Sequence, residues 1–390
     1  MSFFLGEPAI ICALGSDLET VRENLYAGLS PGLRATDEFS PGRPLLLGTA
    51  APAPAAHEAA LRHRSRNNVM LGAAVAALRP RLEAVLARVS PRRVAIVLGT
   101  STSGMVETER AIVARAAGGA LPAGFHLGQQ ELGSAALFLA EELGITGPAF
   151  TVSTACSSSG KAIASGARLL TAGLADAVVV GGVDTLCRFT VAGFAALEAI
   201  SAARCNPFSL NRDGINVGEG AALFVLSREP GPVRLAGWGE ASDGYHVSAP
   251  DPDGRGARLA IEAALARAGD GSAARVGYLN LHGTGTRQND AMESRVVRDL
   301  FAGTPASSTK PLTGHTLGAA GAIEAALCWL TLTDPAGRLP PHLYDGAADP
   351  ELAPLNLVAA GTRLGAPPPA VVSTSFAFGG SNVALVLEQA

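Results

Sequence analysis

Two kinds of hydrophobic pattern alternate along this chain. Continuous apolar runs at residues 94–98, 177–183 and 276–281 are typical of strands that are buried on both faces. Between them, segments such as 107–117 and 259–268 repeat apolar residues every three or four positions, which indicates amphipathic helices. Alternating strands and helices predict a layered α/β fold with mixed or parallel central sheets.

The first ninety residues or so combine helical periods with turn-forming residues. Residues 8–29 predict a short strand, a turn and a helix with Leu29 on its apolar face. Residues 30–56 are rich in Pro and Gly and predict a loop that contains one short strand. Residues 68–88 predict a helix that is interrupted near Pro80.

The second half of the chain echoes the first. In residues 149–173 a strand leads through small, hydroxylated residues into a Gly/Ala-rich helix, and residues 310–333 repeat a turn followed by such a helix. The two prolines within residues 227–233 make this segment the best linker candidate. We therefore divide the chain into two related halves, 1–229 and 230–390, whose small-residue helices would pack closely near a dyad.

Composition argues against several classes of protein. The net charge of −4 disfavours general nucleic-acid binding. The five cysteines form neither a CxxC pair nor a metal-ligand spacing, which is typical of a reduced, cytoplasmic protein. The start of the chain lacks the basic region of a signal peptide. No apolar run reaches membrane-spanning length, because Glu324 interrupts the run at 317–332.

Positive charge comes almost entirely from arginine. Of the 30 basic residues only Lys161 and Lys310 are lysines, and each lies five positions from a candidate catalytic residue. This pattern suggests that a compact ammonium group is needed at both places. The dense cluster of Arg62, Arg64 and Arg66 is interpreted either as solvated surface or as a docking patch for an acidic partner.

Cys156 lies where a predicted strand passes into a helix N-terminus. The free N–H groups and the positive end of the helix dipole favour a thiolate there. The arrangement resembles a nucleophile elbow, which presents a reactive side chain and an oxyanion site together. The alternative is a buried structural cysteine.

Two histidines have the sequence context of reactive groups. His282 ends a predicted strand and opens the turn HGTGT, whereas His315 precedes a small-residue helix in TGHTLGAAG. Together with Cys156 they point to acyl chemistry. Metal binding is disfavoured, because the three residues are far apart in sequence and show no paired ligand spacing.

Five ordered motifs resemble those of the elongating, decarboxylating β-ketoacyl-acyl carrier protein synthases of the thiolase superfamily. They are TACSSS at 154–159, NRDGINVGEG at 211–220, HGTGTRQNDAMES at 282–294, KPLTGHTLGAAGA at 310–322 and SFAFGGSN at 375–382. The resemblance implies a thiolase-like αβαβα fold of two duplicated halves with mixed central sheets.

The resemblance also implies roles for the catalytic residues. Cys156 would hold the acyl chain as a thioester, and His282 and His315 would promote decarboxylation of a malonyl thioester. Lys310 would match the lysine near the second histidine, with Glu293 as its charged partner or in a structural role. The backbone N–H groups of Cys156 and Phe378 would form the oxyanion hole, and the Phe378 side chain would be a gate.

Substrate contacts follow from the same resemblance. Thr284 and Thr286 would hydrogen-bond a phosphopantetheine arm, unless they are only turn-forming hydroxyls. Phe376 and Gly379 are assigned to substrate binding, and Gly379 together with Gly380 would give the gate its mobility.

The implied reaction is a decarboxylative Claisen condensation of an acyl thioester on Cys156 with a malonyl group on acyl carrier protein. It would serve fatty-acid or specialised chain elongation, such as aryl-polyene or polyketide-like synthesis. No bound cofactor or metal is expected, and the phosphopantetheine arm of the carrier protein would deliver the substrate. The expected partners are acyl carrier protein and a second subunit, either an identical chain or a related chain-length factor.

Several departures and alternatives bear on this interpretation. Lys161 stands where housekeeping fatty-acid synthases of the family usually carry His, and the loop at 199–211 and the whole chain are short, which favours a specialised pathway.

A noncatalytic chain-length factor typically lacks the nucleophile. A thiolase needs a second, C-terminal cysteine, and FAFGGSN has none. A cysteine hydrolase would need an Asn or Asp orienter, and none is obvious near either histidine. The acyl group and chain length stay open.

Overall fold

Strands and helices alternate along residues 2–50 and 59–390, the ranges that a computed structural model of the chain describes. The strands are β1 (Phe3–Leu5), β2 (Ala9–Ile11), β3 (Leu33–Thr36), β4 (Leu45–Gly48), β5 (Val94–Gly99), β6 (Ala149–Val152), β7 (Ala177–Asp184), β8 (Gly220–Ser227), β9 (Val233–Ser242), β10 (Val276–Asn280), β11 (Pro305–Ser307), β12 (Asn356–Leu357), β13 (Ala370–Ala377) and β14 (Ser381–Gln389). The helices are α1 (Leu18–Ala27), α2 (Arg66–Leu86), α3 (Met105–Ala116), α4 (Ser134–Leu143), α5 (Ser158–Thr171), α6 (Arg188–Ala196), α7 (Arg255–Ala268), α8 (Ser272–Arg275), α9 (Arg287–Phe301), α10 (Lys310–Thr313) and α11 (Ala320–Leu332).

Most strands join one mixed sheet in the order β12-β11-β10-β13-β14-β9-β1-β8-β7-β5-β6, with β2 also paired to β8. On one side, β5 lies parallel to β6 and β7, and β8 is antiparallel to β7. On the other side, β10 lies parallel to β11 and β13, and β14 is antiparallel to β13. Antiparallel strands β1 and β9 join the two sets. The mirrored pairing confirms the predicted duplicated α/β architecture, and the boundary at 229/230 stays a prediction.

Helices α5 and α11 form the central layer. Every residue of α11 is buried, and it shares one hydrophobic core with α5 and with strands from both halves. Helices α2 and α4 cover the outer face of β5, β7 and β8. Helices α7 and α9 cover the corresponding face of β10, β13 and β14. The alternation of helical and sheet layers is therefore the one that the sequence pattern predicts.

The contact between α5 and α11 depends on glycine. A Cβ atom added at Gly321 would lie 2.8 Å from the backbone nitrogen of Gly160. The Ala322 N–H also donates to the Ser159 hydroxyl at 2.9 Å. The prediction that small residues let these two helices approach closely is confirmed, because no larger side chain fits at this point.

The N-terminal region differs from the sequence prediction in two details. Helix α1 begins after Asp17 and ends before Gly28, so Leu29 lies beyond it and is 58% exposed rather than buried. The segment predicted as a loop with one strand contains two, because β3 pairs with β4 in a separate hairpin. Residues 51–56 of the predicted loop lie outside the described residues.

Helix α2 runs through Pro80 without the predicted interruption. Proline removes one N–H donor and crowds the preceding turn, which costs about 3 kcal/mol or more in a helix interior. Pro80 lies on the exposed side, whereas Leu71, Val75, Leu78 and Leu82 bury the opposite side in the core. Burial of this face offsets the lost hydrogen bond. Within the described ranges, no helix is long and apolar enough to cross a membrane.

Candidate active site

Cys156 lies in the turn between β6 and α5, as predicted. Its neighbour Ala155 has a φ angle of +50°, a left-handed conformation that non-glycine residues rarely adopt. Hydroxyl groups hold this turn: Ser158 Oγ donates to the Ala155 carbonyl at 2.6 Å and accepts from the Thr154 N–H at 2.9 Å. The serine-rich sequence therefore stabilises a strained turn that directs the Cys156 thiol into a cavity.

The fold brings together the three residues that the sequence separates by up to 159 positions. His315 Nε2 lies 2.9 Å from Cys156 Sγ. The rings of His282 and His315 meet edge to face, with 5.5 Å between their centroids. One ligand atom from each of Cys156, His282 and His315 lies within 4.8 Å of the others, so separation along the sequence is no argument against metal binding. The expectation that no metal is bound stays a prediction.

The Cys156 thiol is protonated at neutral pH. Its pKa is raised to about 12, chiefly by burial and in part by the Glu324 and Asp184 carboxylates, against the lowering effect of the Lys310 ammonium. The prediction of a thiolate favoured by the helix dipole is therefore wrong for the resting site. Cys156 precedes the first turn of α5 and is only 6% exposed, so desolvation disfavours the charged thiolate. A base must take the proton when the thiol reacts.

Both histidines are neutral near pH 7. Burial, followed by the positive charge of Lys310, holds the pKa of His282 and of His315 well below the ordinary value of 6.5. The Lys310 ammonium lies 3.4 Å from His282 Nδ1. Because an ammonium group only donates, this contact favours the His282 tautomer that carries its proton on Nε2.

His315 is less constrained than His282. Its Nδ1 has no hydrogen-bond partner among the described residues, so no neighbouring group there selects one tautomer. Its Nε2 can therefore accept a proton from the Cys156 thiol or donate one to a substrate oxygen. His282 can thus act as a hydrogen-bond donor through Nε2, whereas His315 can act as a base or as a donor.

Lys310 forms its ion pair with Glu324, and the predicted pairing with Glu293 is wrong. Lys310 Nζ lies 2.6 Å from Glu324 Oε1, and both side chains are almost fully buried. The same ammonium donates to the His282 carbonyl at 2.5 Å. Glu324 reaches Lys310 because it lies about one turn into α11 and faces the core. Glu324 is the single acidic residue in an otherwise apolar, buried helix, and this is the sequence signal that would have indicated Glu324 as the partner of Lys310.

Glu293 instead holds the turn that carries His282. Its two carboxylate oxygens accept the N–H groups of His282 and Gly283, each at 2.7 Å. Side chains of Asn289 and Thr374 donate to it as well, both at 3.1 Å. Glu293 therefore orients the backbone around the histidine and does not line the cavity.

Asp184 was not predicted as a site residue. This fully buried carboxylate ends strand β7 and accepts the N–H groups and hydroxyls of Ser101 and Thr102, together with the Thr100 hydroxyl. It also accepts the Gly318 N–H at 2.6 Å, from the segment that follows His315. An acidic residue at the end of a buried strand was the available signal. Asp184 links the nucleophile half to the histidine half.

The three residues open into a cavity of about 440 Å³. Of the other predicted site residues, Thr284, Thr286, Phe376 and Phe378 line it. Phe376 packs edge to face against His282, with ring centroids 6.0 Å apart. The Thr284 and Thr286 hydroxyls are 2.9 Å apart, so they bond to each other, as the turn-forming alternative requires, while facing the cavity.

The predicted gate is the short 3₁₀ segment Phe378–Gly380, which we call the gate loop. Phe378 is 37% exposed, and its ring lies 5.6 Å from that of Phe194. Gly379 has a φ angle of +79° and donates its N–H to the Val247 carbonyl at 2.8 Å. Gly380 accepts the Asp243 N–H at the same distance. The gate loop is thus held on its outer side by the segment that follows β9.

The basic cluster is partly structural. Arg66 binds the fully buried Glu219 with two hydrogen bonds, of 2.6 and 3.2 Å. Arg62 pairs with the exposed Glu141, and Arg64 donates to the Ala59 carbonyl. Arg66 therefore has a packing role that the sequence did not indicate, and docking at Arg62 and Arg64 stays a prediction.

Comparisons with known proteins agree with this site. Residues 68–230 match the family described as "Beta-ketoacyl synthase, N-terminal domain", and residues 233–344 match "Beta-ketoacyl synthase, C-terminal domain". A chain of the structure described as "Ketosynthase (ApeO) in Complex with its Chain Length Factor (ApeC) from Xenorhabdus doucetiae" is 44% identical and superposes with a TM-score of 0.95, covering 100% of this chain and 98% of that one. This chain belongs to the β-ketoacyl synthase family.

Curated relatives match a smaller part of this chain. The "3-oxoacyl-[acyl-carrier-protein] synthase 2" of Rhizobium meliloti (strain 1021) is 36% identical over 265 residues, or 63% of this chain and 62% of that protein. The protein of the same name from Staphylococcus aureus is 34% identical over 63% of this chain and 64% of its own. These matches thus span somewhat less than two thirds of either relative. A "Beta-ketoacyl synthase from Burkholderia phymatum STM815", 26% identical, superposes over 100% of this chain and 99% of its own with a TM-score of 0.87.

The geometry also bears on the thiolase alternative. Cys328, the most C-terminal cysteine of this chain, is fully buried in the core around α11 and does not line the cavity. The groups beside Cys156 are the two imidazoles. The family resemblance drawn from the five motifs is therefore confirmed.

Proposed function

We propose that this synthase joins an acyl group, held on Cys156, to a malonyl thioester in a decarboxylative Claisen condensation. The observation that carries the proposal is a buried thiol that lies 2.9 Å from one neutral imidazole and within 4.8 Å of a second, with all three groups lining one cavity. Condensation by decarboxylation needs hydrogen-bond donors for an enolate and no strong base. Two neutral imidazoles meet that need.

In the first half-reaction the Cys156 thiol attacks an acyl thioester. His315 Nε2, 2.9 Å from Sγ, accepts the thiol proton as the new carbon–sulfur bond forms. The backbone N–H groups of Cys156 and Phe378 are proposed to bind the carbonyl oxygen. The carrier thiolate leaves with that proton, and the acyl chain stays on Cys156.

In the second half-reaction a malonyl thioester replaces the departed carrier. Before this step the proton of neutral His315 moves from Nδ1, which has no partner among the described residues, to Nε2. The carboxylate then leaves as CO₂, and the electron pair becomes an enolate whose oxygen accepts the Nε2–H groups of His282 and His315. The enolate carbon attacks the acyl carbonyl and displaces Cys156 as a thiolate. That thiolate takes up one proton from the solvent, which regenerates the resting thiol, and the β-ketoacyl chain leaves on the carrier.

Lys310 supports this chemistry from behind the histidines. Its ammonium holds the His282 carbonyl and Nδ1, and Glu324 balances its charge. The positive charge also keeps both imidazoles neutral, since it disfavours their protonation. Lys310 is therefore a positioning residue in this proposal, as is Glu293.

We infer that the phosphopantetheine arm of an acyl carrier protein delivers both substrates. Thr284 and Thr286 line the cavity, and their hydroxyls can accept hydrogen bonds from the amides of such an arm or donate hydrogen bonds to them. No other bound cofactor is proposed. Exposed arginines such as Arg64 offer a docking surface for an acidic carrier.

We further propose that the chain pairs with a related subunit of the chain-length-factor kind. The support is the solved ketosynthase with its chain length factor, which resembles this chain over its full length. A structure described as "The ishigamide ketosynthase/chain length factor" is also similar, at 25% identity and a TM-score of 0.87 over 100% of this chain and 99% of its own. An identical subunit is the alternative. We place the reaction in the cytoplasm, in line with the five free cysteines.

Intact-mass measurement with a panel of acyl carrier thioesters tests the proposal. The wild-type protein, alone and with a candidate partner, should gain the mass of one acyl group, and added malonyl carrier should then release it as a β-ketoacyl product. Cys156→Ala should load nothing while its unfolding transition stays close to that of the wild type.

A second variant separates the two half-reactions. His282→Ala should still load the acyl group, since His315 lies against the thiol, but its release by malonyl carrier should fall at least about a hundredfold. Loading of Cys156→Ala at the wild-type rate, or condensation by that variant, would rule out the proposed nucleophile.

A further inference from the structure

Lys161 is one of the two lysines in the sequence, and the mechanism above does not use it. It lies in the first turns of α5, and its side chain is partly buried. Burial, followed by repulsion from Arg168, lowers its pKa below the ordinary value. A charge held at such a position in an arginine-rich chain needs a local reason.

The contact of Lys161 supplies that reason. Its Nζ donates to the Ser381 hydroxyl at 2.6 Å. Ser381 follows the gate loop directly and is the first residue of β14. The Ser157 hydroxyl donates to the Thr154 carbonyl at 2.8 Å, and its oxygen, 3.2 Å from that of Ser381, can accept the Ser381 O–H. Ser381 thus contacts both the residue after Cys156 and the first turns of α5.

These bonds connect the two parts of the site that must act together. Ser157 is the residue after Cys156, whereas Ser381 is three residues after Phe378. Val383 also packs against Gly160, where an added Cβ would lie 2.8 Å from its methyl group. The outer side of the gate loop is held by Asp243 and Val247, so Lys161 and Ser157 secure its inner end.

We propose that Lys161 is a positioning residue that holds the gate loop over Cys156 through the Ser381 hydroxyl. It acts on the position of Phe378 and not on the thiol charge, because the groups that shift the Cys156 pKa are burial, Lys310, Glu324 and Asp184. Removal of the ammonium would free the inner end of the gate loop. The thiol would then be uncovered more often, and the closed arrangement needed for condensation would be populated less.

The test compares Lys161→Met, Ser381→Ala and the double variant with the wild type. The first readout is the rate at which iodoacetamide alkylates Cys156 well below the unfolding temperature, followed by intact mass and peptide mapping. We expect each single variant to raise this rate roughly three- to tenfold, and the double variant to match the singles, since both remove the same bond. The second readout is condensation, where kcat should fall several-fold with KM for the carrier thioesters unchanged, because Lys161 does not line the cavity.

Two controls accompany these variants. Ser381→Thr keeps the hydroxyl and should retain the wild-type rates. Arg88→Gln removes an exposed positive charge that pairs with Glu229 and does not act on Lys161, and it should change neither readout. A wild-type alkylation rate in Lys161→Met, or effects that add in the double variant, would overturn the inference, as would lower thermal stability with both readouts unchanged. The condensation readout rests on the proposed function, whereas the alkylation readout stands even if the wild type does not condense.

Discussion

At the scale of single residues, the site depends on buried ionisable groups whose charges are set by their surroundings. The Cys156 thiol is held neutral by desolvation, and His282 and His315 are held neutral by desolvation and by Lys310. Neutral groups are what the proposed chemistry requires, because a protonated imidazole could not accept the thiol proton. Burial thus serves the reaction as well as the fold.

Asp290 allows a test of this burial through pH. It is fully buried beside Glu293, and burial raises its pKa to about 7 from an ordinary 3.8, although the Phe208 N–H and the Arg212 charge act in the opposite direction. The folded protein therefore holds a proton that the unfolded chain releases above about pH 4. The resulting stability is complete below about pH 4 and is lost as pH rises through about 7, by up to about 1.4 kcal/mol per pH unit.

Asp290→Asn should remove this dependence, since the amide does not titrate. Denaturant unfolding of both proteins from about pH 4.5 to 8.5 measures it. We expect the wild type to lose stability relative to the variant between about pH 4.5 and 7, with a constant difference above about pH 8. A difference that does not change with pH would show that Asp290 titrates normally.

At the scale of elements, the approach of α5 to α11 determines where Cys156 and His315 meet. Both residues lie just before these helices, so the helix contact fixes the separation of thiol and imidazole. The contact is tight at Gly321, where an added Cβ would meet the backbone of Gly160. Overpacking of this kind typically costs about 1–3 kcal/mol, since the backbone has to move.

Gly321→Ala should therefore lower the free energy of unfolding by about 1–3 kcal/mol and slow acyl loading of Cys156. Gly193→Ala is the matched control, because Gly193 also lies in a helix but has open space where its Cβ would be. That variant should be neutral or stabilised by about 0.5–1 kcal/mol. Equal effects of the two changes in denaturant unfolding would exclude a special contact at Gly321.

The start of α2 is held by a second link between elements. Buried Glu219 accepts two bonds from Arg66 and one N–H each from Ala50 and Leu186, so it joins α2 to the end of β4 and to the segment after β7. Removing a partner of a buried charge is costly, typically about 3–5 kcal/mol when both groups are buried. Arg66 is 42% exposed, which reduces this figure.

Arg66→Ala should accordingly lower stability by about 2–3 kcal/mol, as measured by denaturant unfolding. Arg64→Ala is the control from the same cluster, and a change at this exposed site should stay within about 0.5 kcal/mol. If carrier-protein binding weakens with Arg64→Ala in a salt-dependent way, the docking role is supported. Equal stability of the two variants would refute the structural role of Arg66.

At the scale of the whole molecule, the active site is assembled across the duplicated halves. The thiol comes from one half and both imidazoles from the other, and Asp184 joins them through the Gly318 N–H. Leu317, between His315 and Gly318, has a φ angle of +50°, so this segment is held in an unfavourable conformation. The carboxylate at the end of β7 helps to hold it there.

Asp184→Asn should disturb this connection, because the amide NH₂ group would face donors. We expect a stability loss of about 3 kcal/mol and a fall in the loading rate as His315 shifts. Asp176→Asn, at the other end of the same strand region, is exposed and paired with Arg93, so it should cost less than about 1 kcal/mol. Wild-type loading by Asp184→Asn, measured by intact mass, would refute a positioning role.

The sequence by itself determined the layered architecture and the nucleophile turn. Buried strands and amphipathic helices differ in period, so β5, β7 and α5 could be placed from the residues alone. The five ordered motifs indicated the family, and they also indicated Cys156, His282 and His315 as catalytic residues. These features are local, because the pattern that encodes them lies within a few turns of chain or within one motif.

Only the tertiary structure decided the partners and charges of buried groups. Lys310 forms its ion pair with Glu324 and not with Glu293, and Arg66 donates hydrogen bonds to the buried Glu219. The raised pKa of Cys156 keeps it a thiol rather than a thiolate. Each outcome depends on which groups meet across distant segments and on how completely water is excluded. Desolvation and charge pairing are properties of the packed interior, and no spacing along the chain reports them.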